Sequence, residues 1–244
     1  MDNLVKQMLS FYDKNSTSVA IIVALIVVFG TILIYYVLSR KSSRNAVLLV
    51  GLSDSGKTVL FTQLVAKKFV SSVTSMKEMS NTLRLSNHKT IELIDCPGFE
   101  RLRMKYWDDY KVRAKGVLFV IDSTDFANTG KDVADLLYNF LVDPLVVTHK
   151  IPFLIACTKQ DETRAKSSKV LQKQLEREIT AIRETRAGAL GSTGEDDTSR
   201  SILGKLDKEF AFNDIKNEVQ FADCSAAESN TQLDSVLNWI KSIA

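Results

Sequence analysis

Residues 46–58 read Ala-Val-Leu-Leu-Val-Gly-Leu-Ser-Asp-Ser-Gly-Lys-Thr. An apolar run passes without a break into G-x-x-x-x-G-K-T. A short continuous apolar run ended by glycine is a buried strand. Glycines at 51 and 56 let the backbone turn tightly and bring its N–H groups onto a phosphate, while the helix that starts at Lys57 adds the positive end of its dipole. Gly51, Leu52, Ser53, Asp54, Ser55, Gly56, Lys57, Thr58 and Val59 are therefore the expected phosphate-contact residues. The Lys57 ammonium is expected to reach the β- and γ-phosphates. The Thr58 hydroxyl is expected to ligate Mg²⁺, a hard cation that prefers oxygen.

Outward from this loop the chain alternates between short apolar runs and amphipathic stretches. Strands are expected at Ala46–Val50, Leu83–Leu85, Thr90–Asp95, Gly116–Asp122, Phe153–Cys157 and Val219–Cys224. Helices are expected at Lys57–Lys67, Asp132–Val142 and Ser168–Arg186. Leu233, Val236, Leu237 and Ile240 recur at i, i+3, i+4 and i+7, which predicts a final amphipathic helix. Strands alternating with helices imply an α/β fold, with a mostly parallel six-stranded sheet covered by helices on both faces. Gly188–Ser201 has no apolar periodicity and is expected to be a mobile insertion. No internal repeat is present.

The remaining signals fall at strand ends, in order. Asp95-Cys-Pro-Gly98 is a D-x-x-G: the carboxylate would hold Mg²⁺ through water, and the Gly98 N–H would meet the γ-phosphate. Thr158-Lys159-Gln160-Asp161 matches the guanine-reading N/T-K-x-D. A carboxylate at Asp161 accepts from both N1–H and the 2-amino group of guanine, two donors that adenine lacks. Leaving it unpaired costs roughly 1–3 kcal/mol, so ATP should be rejected. Cys224-Ser225-Ala226 matches the short S-A signal that approaches the base. A switch threonine is also needed between the first helix and the second strand, to bind Mg²⁺ and the γ-phosphate. Thr74, within Ser72-Val73-Thr74-Ser75, is the preferred candidate, and Thr82 is the alternative.

Val19–Leu38 contains no charged residue. Twenty residues at about 1.5 Å each span roughly 30 Å, the thickness of a bilayer's hydrocarbon core. A buried core helix apolar on every face does not suit a domain of this size. A cleaved leader has a shorter apolar region, with a small-residue cleavage site that is missing here. The segment is read as one transmembrane helix. Arg40, Lys41 and Arg44 follow it without an acid, whereas Lys6 and Lys14 are balanced by Asp2 and Asp13 before it. Positive flanks stay cytosolic, which places residues 1–18 across the membrane and the large domain, residues 46–244, in the cytosol. The linker 39–45 extends to at most roughly 25 Å, so that domain would lie close to the bilayer.

The chain carries a formal net charge of +3 and three cysteines. So small a charge favours no nucleic-acid partner. Unpaired spacing reads as free thiols in a reducing compartment. His88 and His149 are isolated, with no second ligand at metal-binding spacing.

The motifs GLSDSGKT, SVTSM, LIDCPGFE, FLIACTKQD and DCSA together resemble the Arf/Sar-like branch of the small GTPases. With one N-terminal span, a basic flank and a long insertion before the last strand, they resemble within it the family of signal recognition particle receptor β subunits. The resemblance implies a Ras-like P-loop G domain binding GTP or GDP with Mg²⁺. Its phosphate contacts would be Gly51–Thr58, its switch contacts Ser72–Ser75, Asp95 and Gly98, and its guanine contacts Thr158, Lys159, Asp161 and Ala226. It also implies the endoplasmic reticulum membrane, the receptor's α subunit as partner, and the neighbourhood of ribosome or translocon. Phe99 departs from the generic pattern, which has glutamine after the D-x-x-G glycine to orient the attacking water. Hydrolysis is therefore expected to be slow or partner-dependent. Aromatic residues in Phe99–Tyr110 are read either as helix core or as an interface. The alternative reading is a cycling Arf/Sar-like GTPase regulating membrane traffic. A permanent span, and Asp2 where myristoylation needs glycine, weigh against it.

Overall fold

The computed structural model describes residues 20, 21, 23–32, 44–70, 75, 77–85, 89–193 (backbone alone for 188–193), 203–204, 207–228 and 230–244. They belong to two units, Met1–Ser43 and Arg44–Ala244. In the first, residues 20, 21 and 23–32 are helical. Ile21, Ile26, Phe29 and Ile32 are each more than half exposed. Among the described residues no helix is long and apolar enough to cross a membrane. The rest of the expected 19–38 span lies outside them.

The second unit runs β1 (Ala46–Val50), α1 (Lys57–Ala66), β2 (Met79–Arg84), β3 (Thr90–Asp95), α2 (Glu100–Tyr110), β4 (Ala114–Asp122), α3 (Phe126–Leu141), α4 (Pro144–His149), β5 (Phe153–Thr158), α5 (Ser168–Thr193), β6 (Val219–Asp223), the short β7 (Ser225–Ala226) and β8 (Thr231–Gln232), and α6 (Asp234–Ile243). Six strands form one sheet in the order β2-β3-β1-β4-β5-β6. Only the β2–β3 pair is antiparallel.

Alternation along β1 sets the two cores. Leu48 and Val50 face one side, with Phe119, Trp107, Phe140 and Leu175. Val47 and Leu49 face the other, with Leu60, Leu93, Leu118, Val236 and Ile240. The central strands β1, β4 and β5 are buried on both faces, which is why they read as unbroken apolar runs. In register, Leu49 lies beside Asp95, Asp122 beside Thr158, and Cys157 beside Asp223. The parallel strands thus end along one edge of the sheet, where their loops gather.

Several boundaries differ from the sequence expectation. Strand β2 starts at Met79, not Leu83. Met79–Thr82 are all exposed because it is an edge strand, and after Met79 they are polar, so no apolar run marks them. Helix α3 begins at Phe126, six residues before the apolar periodicity that suggested Asp132. Helix α4 was not expected. Asp143 caps it by accepting from the Leu145 N–H, with Pro144 in the first turn. Helix α5 continues past Arg186 to Thr193, so the first part of the expected 188–201 insertion is helical. Ala187, Ala189 and Leu190 are good helix formers and extend the ladder. Residues 194–201 of that insertion lie outside the described residues.

Trp107 settles the double reading of α2. It is 1% exposed, stacks on Phe140 at 4.1 Å and donates from Nε1 to Asp143 Oδ2 at 3.0 Å. The interface reading is therefore corrected for Trp107: its ring is core. Lys111 Nζ reaches the same carboxylate at 2.8 Å. Burial pushes the Asp143 carboxyl up, but the hydrogen bonds from Lys111, Trp107 and the Leu145 N–H outweigh it and hold the group below its ordinary value.

Asp143→Ala leaves the buried Trp107 indole N–H without its acceptor and Lys111 with Asp108 alone. It should destabilise the domain by about 2–4 kcal/mol in urea unfolding. The depressed carboxyl contributes fully above the unfolded pKa of about 4 and loses its contribution as pH falls through the folded value. The gap between parent and variant should therefore close in acid, and a pH-independent gap would contradict this.

Candidate functional site

The loop between β1 and α1 is wound by left-handed backbone at Asp54 (φ 62°) and Gly56 (φ 86°). Gly56 precedes the first helical residue, and no side chain caps that N-terminus. This leaves the loop as a concave set of amides at a helix start, the arrangement that suits an anion. Lys57 is buried beneath it, and its ammonium donates to the Leu52 carbonyl and lies 3.3 Å from Ser55 Oγ. Burial pulls the Lys57 ammonium down to about 8, against the opposing pull of Asp95 and Asp54.

Asp95, at the end of β3, is 1% exposed. Its Oδ2 accepts from Thr58 Oγ1 at 2.7 Å. The same hydroxyl lies 3.0 Å from Ser75 Oγ. Among the described residues, the buried Oδ1 of Asp95 has no hydrogen-bond partner. Burial pushes this carboxyl up, countered by Thr58 and Lys57. A buried carboxylate oxygen lacking a donor, beside two hydroxyls and at the mouth of an anion loop, fits a hard divalent cation or its bound water. The structure brings Thr58, Asp95 and Ser75 together. Ser72, Val73 and Thr74 lie outside the described residues. Thr82, the alternative, stands in β2 opposite Glu92.

Gly98 sits directly on the loop. A Cβ there would stand 2.6 Å from Lys57 Nζ and 2.8 Å from Ser53 N, so no other residue fits without displacing the two segments. Phe99 follows it, 40% exposed, as the residue before α2.

The third group of residues stands at the ends of β5 and β6. Thr158 is 2% exposed, and its Oγ1 lies 2.8 Å from the Ser55 carbonyl and 2.9 Å from the Ile121 carbonyl. One side chain therefore ties the β5 loop to the phosphate loop. Lys159 adopts φ 62° and its ammonium donates to Asp122 Oδ2 at 2.6 Å. Asp161 is exposed, and its Oδ1 accepts from Ser225 Oγ at 2.7 Å. The Ala226 carbonyl accepts from Gln63 Nε2 at 3.2 Å. Thr158, Lys159, Asp161, Ser225 and Ala226 thus stand together at the ends of β5 and β6. The sequence reading missed Asp122. Its available signal was position: a carboxylate closing the apolar run of β4, at the carboxyl end of a central parallel strand.

The cysteines play no part in this chemistry. All three are buried, and burial pushes the thiols of Cys96 and Cys224 up to about 12 and that of Cys157 higher.

This sheet, with helices on both faces and the phosphate loop after its first strand, is the Ras-like GTPase fold. A solved structure described as "The Structure of the Mammalian SRP Receptor" matches 82% of this chain and all of its own, at 38% identity and a TM-score of 0.73. The "Signal recognition particle receptor SRb-GTP/SRX complex from Chaetomium thermophilum" shares the fold at 23% identity and a TM-score of 0.63, over 81% of this chain and 97% of that one. The family model for the signal recognition particle receptor beta subunit matches residues 42–219. The rat signal recognition particle receptor subunit beta is 37% identical over 240 residues, 95% of this chain and 89% of the relative. The chain belongs to the signal recognition particle receptor beta subunit family.

The Thr158 hydroxyl yields a direct test. Thr158→Val keeps the shape and leaves two buried carbonyls without it. It should cost about 1–3 kcal/mol in chemical unfolding and speed amide exchange in the 51–58 loop. Unchanged exchange there would show that the hydroxyl does not brace the loop.

Proposed function

We propose that this chain binds GTP and GDP with Mg²⁺ and, in its GTP state, docks the receptor's α subunit at the endoplasmic reticulum membrane, where proteins are targeted during their synthesis. The observation that carries the reading is the spacing of two unlike ends on one sheet edge. Lys57, Thr58 and Asp95 form a buried phosphate and cation end, and Asp161 with Ser225 forms an exposed carboxylate end. Thr158 joins them.

Each group has a role in this reading. The amides of 51–58 and the Lys57 ammonium take the phosphates. A bound polyphosphate would return Lys57 to full charge, offsetting the burial that now depresses it. Mg²⁺ supplies charge neutralisation at the β- and γ-phosphates, held by Thr58, by Asp95 through water and by the switch residue Thr74, with Ser72–Ser75 contributing contacts. The Gly98 N–H meets the γ-phosphate. Asp161 accepts from guanine, and the backbone at Ser225–Ala226 faces its carbonyl. Phe99 has no hydrogen-bonding group, so the chain alone orients no water and hydrolysis is slow or completed by a partner.

The partner reading rests on the family and on the exposed half of α2. Phe99 and Met104 are exposed beside Arg101, Arg103 and Lys105, a mixture that protein interfaces favour. The Chaetomium relative is described as a complex with SRX in the GTP state. The membrane reading rests on the charge-free stretch 19–38, on exposed apolar side chains among its described helical residues, and on the basic flank.

In competition with labelled GTP, unlabelled GTP should displace it at least a hundredfold better than ATP. Asp161→Asn should move preference toward xanthine nucleotides, because the amide donates to the xanthine 2-oxygen. Equal displacement by ATP and GTP would refute the guanine assignment. Capture of the α subunit should be strongest from GTP-loaded chain and weak from GDP-loaded or nucleotide-free chain. Equal capture in all three states would leave a structural anchor with no switch.

A further inference from the structure

Lys159 is held by a residue that no sequence motif includes. Asp122 ends β4 and pairs in register with Thr158, the residue before Lys159. Its Oδ1 accepts from the Thr124 N–H at 2.8 Å and from Thr124 Oγ1 at 2.6 Å. Its Oδ2 accepts from Lys159 Nζ at 2.6 Å. The carboxylate is thus oriented by its own chain, and the flexible lysine is the partner that conforms to it. The same short stretch braces the β5 loop again. The Ser123 N–H donates to the Thr158 carbonyl at 3.3 Å, and Ser123 Oγ accepts from Gln160 Nε2 at 3.1 Å.

We propose that Asp122 is a positioning residue for guanine-nucleotide binding, aiming the Lys159 stem as a fixed apolar wall for the purine. The proposal rests on the GTP reading above. A lysine stem is four methylenes long and covers apolar surface well once its ammonium is satisfied. Left free, it would have to be ordered at the moment of binding. Here its backbone is left-handed and its ammonium is engaged by Asp122. The Lys159 side chain is 34% exposed and that of Asp122 17%. An ion pair this open contributes little to folding, so a stability role alone does not account for a carboxylate fixed by three hydrogen bonds. Burial pushes the Asp122 carboxyl up, but Lys159 and Thr124 outweigh it and keep the group ionised well below neutral pH.

The test is release of a fluorescent GTP analogue from the full chain, measured for the parent, Asp122→Asn, Lys159→Met and the double variant, with the thermal midpoint of each nucleotide-free protein. Asp122→Asn should speed release roughly three- to tenfold, with little change in midpoint. The double variant should release no faster than Lys159→Met alone, because Asp122 acts through that lysine. Unchanged release in Asp122→Asn would overturn the proposal, and so would losses that multiply in the double variant. If Asp122→Asn does not fold, Asp122→Glu carries the same comparison, since the added methylene displaces the carboxylate from Lys159. A parent that does not discriminate GTP from ATP would instead refute the GTP reading, whatever Asp122 does.

Discussion

The hydroxyl of Thr158 is the joint on which the site depends. It lies within hydrogen-bonding distance of a carbonyl of the phosphate loop and a carbonyl of β4, so three loops from distant parts of the chain share one fixed point. Parallel pairing makes this possible. Because β1, β3, β4, β5 and β6 run the same way, their ends fall on one edge, which gathers loops as far apart in sequence as those of Ser55 and Ser225. No single segment builds the pocket; the sheet does.

The phosphate end is held in an uncomfortable electrostatic state. Lys57 and Asp95 are both buried, the ammonium pulled down and the carboxyl pushed up, and one Asp95 oxygen is left without a donor. Buried charges that the protein does not fully compensate are costly, and a ligand that supplies both anion and cation relieves them together. The Asp161 end differs. Asp161 is exposed and already engaged by Ser225 on one oxygen, so it is oriented without being desolvated.

The strand–loop–helix at 46–58 and the strand-end motifs were legible because their chemistry is local: each motif's residues are close in sequence and follow an apolar run. Asp122 was not legible. Its importance arises from a partner 37 residues away, brought beside it by β4–β5 register. The edge strand β2 and the cap Asp143 were hidden for related reasons. An edge strand exposed on both faces shows no alternation. The carboxylate of Asp143 acquires its meaning from Trp107 and Lys111, which the chain order does not place near it. The double reading of Trp107 likewise could be resolved only by knowing what stands opposite its ring, which is Phe140.

In the proposed reading, Phe99 in place of a water-orienting glutamine suits the chain to reporting a nucleotide state through a partner more than to turning GTP over. In the same proposed reading, the Thr58–Asp95 contact marks the seat of Mg²⁺ at the end of a bound GTP. The direct measurement is a crystal structure of the chain with Mg²⁺ and a non-hydrolysable GTP analogue. The account predicts that Thr58 Oγ1 leaves Asp95 Oδ2 and ligates Mg²⁺ at about 2.1 Å, with Asp95 taking a metal-bound water. A bound nucleotide with the Thr58–Asp95 hydrogen bond intact and no cation between them would contradict it.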